Sequence, residues 1–249
     1  MSPAVTYYVC AGIATIISGL AKGGFAGLGG LAMPIMAIGV DPIEGAAILL
    51  PILIVQDIVS VWSFRRTFSR EIIWVMLPGM AVGVVLGYLY AARLPEKAVL
   101  GALGAISIVF GLHRLWVERG SAAVLPSNSP HWVGRIFGVA AGFTSQIAHA
   151  GSPPFQMWVL PRRLPRDVLV GTTAISFAAM NWLKVPAYAA LHQFTARNLL
   201  ASAYLMPLAL ASTLAGVVLV RRIDASRFYT IIYTLMVLLG LKLVIDAVA

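Results

Sequence analysis

The sequence is poor in charge and nearly devoid of cysteine. Of its 249 residues only 11% are Asp, Glu, Lys or Arg, against about 25% in a soluble domain. So few charges cannot clothe a water-facing surface, which excludes a soluble globular fold and leaves lipid as the main solvent. The single cysteine, Cys10, excludes an internal disulfide framework and a cysteine-based metal cluster. It lies in an apolar run and reads as a small buried thiol. Catalytic signatures are lacking too: there is no GxSxG, HExxH, P-loop, EF-hand loop or Rossmann glycine fingerprint. The GLGG of Gly27 to Gly30 follows no strand and precedes no GK[ST]. No cofactor or metal is implied, and any transport driven by this chain alone is passive or coupled to an ion gradient. No positive charge precedes Lys22 and no small-residue cleavage site follows the first apolar run, which reads as a membrane segment and not a removed signal peptide.

What is abundant is apolar length. The chain is 60% hydrophobic with a mean hydropathy of +0.90. Eight apolar stretches cover roughly 4–40 (interrupted), 43–63, 72–92, 97–116, 132–160 (interrupted), 168–190, 198–220 and 227–247. The uninterrupted ones run about 20 residues, enough to span a ~30 Å hydrocarbon core. Runs this continuous are helices and not barrel strands, so the fold class is an all-α integral membrane protein. Trp62, Trp74, Trp116, Trp132 and Trp158 fall near the ends of these runs, as an interfacial belt requires. The net charge of +9 comes from arginines between apolar runs and not from one patch. They read as topology signals, and nucleic acid is not a partner.

The polar connector Val117 to His131 splits the chain into near-equal parts. At a shift of 129, Leu77-Pro78 meets Met206-Pro207, Gly87 meets Gly216, Arg93 meets Arg222 and Gly111-Leu112 meets Gly240-Leu241. At a shift of 123, Gly19 meets Gly142 and Pro42 meets Pro165. We therefore read one membrane domain, 1–249, with internal repeats 1–118 and 131–249 and a linker 117–131.

Each repeat begins with a broken segment: Lys22 to Gly30 (KGGFAGLGG) interrupts the first and His149 to Pro154 (HAGSPP) the second. Five glycines in nine residues cost about 1 kcal/mol each in a helix, and Pro153-Pro154 removes two donors. If both broken segments are re-entrant hairpins, the basic residues separate. One side holds Arg65, Arg66, Arg70, Arg114, Arg119, Arg135, Arg162, Arg163, Arg166, Arg221, Arg222 and Arg227, and the other only Arg93, Lys97, Arg197 and Lys242. The expectation is thus two inverted repeats, each a broken re-entrant helical hairpin plus three transmembrane helices, with both termini outside.

Non-helical backbone at membrane depth belongs in a protein interior or a watery cavity, and its free N–H groups attract anions. Lys22 at the first break either snorkels to the interface or pairs with an anion, since a buried lysine costs about 3 kcal/mol. His149 at the second is either a hydrogen-bonded core histidine or a ligand. Ser145, Ser152, Thr144 and Gln146 add uncharged donors, although small polar residues also glue membrane helices. Asp57, the one acid deep in a spanning run, is a proton-coupling candidate or a partner for Lys22, and Asn181 holds the matching place in the second repeat. Lys184 either snorkels outward or widens a positive funnel. An intramembrane enzyme would need a nucleophile–base pair, which Ser145 and His149 at i,i+4 offer. A scaffold without transport activity would need no polar centre at all.

The signatures ISGLAKGGFAGLGGLAMPIM (Ile17 to Met36) and AAGFTSQIAHAGSPPFQMWVLP (Ala140 to Pro161) make the whole chain similar to the TauE/SafE family of sulfite and organosulfur-anion exporters. The resemblance implies a permease for small sulfur-containing anions in a bacterial cytoplasmic membrane, exporting them and coupled to an ion or proton gradient. A homo-oligomer is compatible with it. It carries the substrate-binding breaks onto Gly23, Gly24, Gly27, Gly29 and Gly30, and onto Gly151 to Pro154. HAGSPP stands where the family often shows a run of glycines, a departure that bears on the anion accepted.

Overall fold

The computed structural model describes residues 2–25, 28–91, 95–119, 129–220 and 226–248. Gly27, Arg93, Arg221, Arg222 and most of the 117–131 linker lie outside the described residues. The described chain is helical: α1 (Pro3–Lys22), α2 (Gly29–Gly39), α3 (Pro42–Phe64), α4 (Arg70–Ala91), α5 (Glu96–Arg119), α6 (His131–Ala148), α7 (Ser152–Val159), α8 (Arg166–Ala190), α9 (Ala196–Leu219) and α10 (Ser226–Val248), with a 3₁₀ turn Leu160–Arg162 after α7. Starts follow local chemistry. Asp41 caps α3 by accepting from the Ile43 and Glu44 amides, both at 2.9 Å, with Pro42 in the first turn. Thr195 caps α9 through the Asn198 amide. Among the described residues six helices, α1, α3, α4, α5, α8 and α9, are long and apolar enough to cross a membrane. Trp62, Trp74, Trp116 and Trp132 are exposed, but Trp158 is buried under Arg162, whose guanidinium lies 3.7 Å from its ring, and is not part of a belt.

Both broken segments turn back on themselves. Gly39, at the end of α2, abuts the Thr6 carbonyl and Cys10 near the start of α1, while Gly29 lies beside Ala21 near its end. Likewise Trp158 of α7 presses on Gly134 at the start of α6, and Gly151 on Ala141 and Ser145 further along it. The arms are unequal. At 1.5 Å per residue α1, with 20 residues, is about 30 Å long, a full crossing, whereas the 11-residue α2 is about 16 Å. The breaks are also shorter than the sequence suggests. Pro153 and Pro154 open α7, where the missing donors are not needed, and α1 runs through Lys22.

Helices distant in sequence pack together: α1 on α9, and α6 on α4. Small residues make both approaches close. A Cβ on Gly19 would sit 2.0 Å from Ser212 Oγ, and one on Gly216 would sit 2.9 Å from the Gly23 Cα. On the other side, Gly83 would strike the Val139 carbonyl at 2.1 Å and Gly142 the Met80 carbonyl at 2.1 Å. The helix pairs α3·α8 and α5·α10 also join the first and second halves of the chain, the latter through Gly104 and Gly240. One end of the bundle gathers Tyr7, Glu44 and Arg197 at the starts of α1, α3 and α9. The opposite end gathers Glu71, His131 and Arg162.

Candidate functional site

Lys22 ends α1 and Asp57 sits on α3, and the two form a buried ion pair. Asn181 Nδ2 of α8 donates to the other carboxylate oxygen at 2.6 Å, so the residue at the matching place in the second repeat touches Asp57 directly. Phe177, one helical turn before Asn181, lies 5.4 Å from the Lys22 ammonium and covers it as a cation–π partner. Ser60, on the next turn of α3 after Asp57, donates to the Lys22 carbonyl at 2.7 Å and fixes the end of α1. Lys22 keeps 13% of its side chain exposed and Asp57 only 2%. Lys22 therefore does not snorkel away: its charge is held at depth by a carboxylate.

Lys184 contradicts the outward-snorkelling expectation, being fully buried. Its ammonium lies 3.1 Å from Ser145 Oγ and 2.6 Å from His149 Nδ1, and among the described residues no carboxylate forms an ion pair with it. His149 Nε2 faces the Ala46 carbonyl at 2.8 Å. A carbonyl accepts only, so Nε2 carries the hydrogen and Nδ1 accepts from Lys184. The backbone makes this aim possible. His149 adopts a left-handed φ of 49°, ends α6 and directs its ring toward α3. Both His149 nitrogens are thus engaged and neither meets Ser145 Oγ, so the nucleophile–base pair is not formed.

A cavity of roughly 780 Å³, its open mouth included, lies between the hairpin tips. Lys22, Ser60, Ser145, Ser152, His149 and Asn181 supply its polar wall, and Gly24 and Gly29 its glycine surface. The first residues of α2 and α7 meet there: a Cβ on Gly29 would lie 3.8 Å from Ser152 Oγ. Ser152 also accepts from Gln156 at 2.7 Å. The remaining break glycines serve packing. Gly23 touches the Gly216 backbone too closely for a side chain, Gly30 touches the flexible end of Met236, and Gly24 combines contact with Val220 and a φ of 131°. Gly151 lies against Ala141 and Ser145, and Thr144 turns back to the Ala150 carbonyl at 2.9 Å. Of the two readings offered for Lys184, the structure favours the inward one, and its spacing of three from Asn181 puts both on one helical face.

A family model described as Sulfite exporter TauE/SafE matches residues 11–243. No curated protein and no solved structure matches the chain.

Proposed function

Because the chain belongs to the TauE/SafE sulfite exporter family, we propose that it is a secondary carrier that exports small sulfur-containing anions, such as sulfite or organosulfonates, through the cavity between its hairpin tips. One observation carries this reading: among the described residues the buried centre brings together two lysine side chains, Lys22 and Lys184, and one carboxylate, Asp57. A buried cation without a counter-ion is costly, and an anion in the cavity completes the charge. In this reading the anion lies among Lys22, Ser145, His149 and Ser152, with the Gly29 and Gly151 backbone beside it. Gly23, Gly24 and Gly30 shape the wall by letting α9 and α10 approach.

The coupling follows from competition. Asp57 and the anion seek the same Lys22 ammonium, so a protonated Asp57 frees Lys22 for substrate and one proton travels with each anion. Asn181 holds the carboxyl in either state. A dianion so carried still leaves with one negative charge, which an inside-negative potential favours by about 2.3 kcal/mol per 100 mV. The carrier acts as a pair of inverted repeats, one half rocking against the other. That architecture is supported by the exchanged pairs α1·α9 and α4·α6 and by the opposite ends at which α1 and α6 begin. The arginine-rich end, with Arg65, Arg70, Arg162 and Arg166, faces the cytoplasm in this reading and the termini face outward. Counterflow of labelled sulfite in proteoliposomes tests the proposal. Saturable exchange that Lys184→Met removes is the expected result, and absence of exchange with sulfite, thiosulfate and sulfoacetate would sink it.

A further inference from the structure

A second cavity, about 350 Å³ with its mouth, lies across the last turn of α6 from the first. Ile43, Ala46, Val99, Gln146, Tyr188 and Gln193 line it, which puts it at the bundle end that holds Glu44 and Arg197. The last turn of α6 is the partition: Ser145 and His149 line the larger cavity, and Gln146 and Ile147 the smaller. His149 closes what the helix leaves open. Its Nε2 donates to the Ala46 carbonyl at 2.8 Å, and its ring stacks on Tyr188 with centroids 6.0 Å apart. Beyond that seal, Gln146 is only 2% exposed, yet neither its Nε2 nor its Oε1 has a hydrogen-bond partner. Buried amides are almost always partnered, and a group that is not calls for an explanation.

We propose that Gln146, with Gln193 at the rim, forms a second, uncharged oxyanion subsite, and that His149 is the gate residue whose release of Ala46 passes the anion from the larger cavity to Gln146. The proposal rests on the transport reading above and adds where the substrate goes next. Its chemistry suits an exit. Amide N–H groups donate to an oxyanion without a formal charge, so they hold it more weakly than the lysine-bearing site of the larger cavity does, and a path conducts only if its last site lets go. The Lys184 ammonium behind the gate still biases the cavity toward anions.

The test places a thiol at the subsite by Gln146→Cys in a Cys10→Ser background, in proteoliposomes. An anionic sulfonate-bearing methanethiosulfonate and its cationic trimethylammonium analogue are compared, with rates normalised to Ala196→Cys, exposed at the start of α9. The expected result is labelling from the Arg197 end, about five-fold faster or more with the anionic reagent. Adding His149→Ala is expected to open labelling from the opposite end as well. Equal rates for the two reagents, or a thiol unreactive from both ends while Gln193→Cys reacts, would overturn the subsite. In counterflow, Gln146→Leu is expected to slow sulfite exchange about ten-fold and Gln146→Asn about three-fold or less, a polar-group loss of ordinary size. Exchange at the native rate in Gln146→Leu overturns the role in transport. A native chain that exchanges no sulfite would sink the carrier reading instead, and the labelling pattern would still decide the subsite.

Discussion

At the first hairpin tip the lysine belongs to the hairpin and the serine to the long helix that follows it; at the second tip the two are exchanged. Lys22 and Ser145 occupy equivalent places at the shift of 123, and Ser60 and Lys184 do so at a shift of 124, as do Asp57 and Asn181. Each pair is in contact, Ser60 with the Lys22 carbonyl and Lys184 with Ser145 Oγ. The scaffold of the two tips is therefore shared, while the charge on it is not. Lys22 has Asp57, whereas the neutral Asn181 leaves Lys184 only Ser145 and His149. The difference separates two jobs. In the transport reading proposed above, the first tip holds its lysine by an internal ion pair that a proton would dissolve, and the second leaves Lys184 for the anion to compensate.

Removing the lysines one at a time breaks this comparison most sharply. Lys22→Met strands a buried carboxylate, and thermal unfolding in detergent is expected to show a loss near the lower end of about 3–5 kcal/mol, since Lys22 keeps 13% exposure. Adding Asp57→Asn restores stability without restoring exchange. Lys184→Met strands no carboxylate, so the fold survives while sulfite counterflow drops about 100-fold, the scale of losing one buried charged partner. Equal destabilisation by Lys22→Met and Lys184→Met would erase the distinction between the tips.

Asp57→Asn alone sharpens the comparison from the side of coupling. Exchange at equal pH is expected to persist, while the stimulation of uptake by an imposed pH gradient, read from initial rates, disappears. Since Asp57 is the only acid paired with Lys22 among the described residues, a gradient response that survives in the variant removes the proton role. The smallest effects belong to the serines. Ser60→Ala costs about 1 kcal/mol of stability through one lost hydrogen bond and leaves exchange near native, whereas Ser145→Ala acts on exchange because its hydroxyl faces Lys184. Unfolding midpoints and counterflow rates on the same preparations separate the two.

Much of the fold was legible because lipid imposes strong rules on sequence. Apolar runs of about 20 residues mark helices, and the glycine cluster and His149 to Pro154 mark the two places where the chain turns. Both broken segments turn back, but α1 is itself long enough to cross the membrane, where a re-entrant arm was expected, and it packs along α9 through Gly19, Gly23 and Gly216. Glycine in a break reads as flexible backbone or ligand approach, while at Gly23 and Gly30 it serves contact with another helix. Trp158 looked interfacial by position and is buried, because the short α7 folds it under Arg162 and against Gly134.

The candidate site was legible in its residue types and not in its pairings. The intramembrane Lys22, Asp57 and His149 stand out in sequence because burying such groups in lipid is expensive, and that expense is a property of composition and depth alone. By itself the sequence determined a membrane-embedded helical chain and its family. Whether Lys184 points to lipid or into the centre was undecidable from its own helix, since a long flexible side chain reaches either way. Only the tertiary structure chose, by packing α8 against α3 and bringing Ser145 and His149 of α6 to the ammonium. Charge balance in a buried site is a sum over helices distant in sequence, and only their packing assigns each cation its partner or leaves it without one.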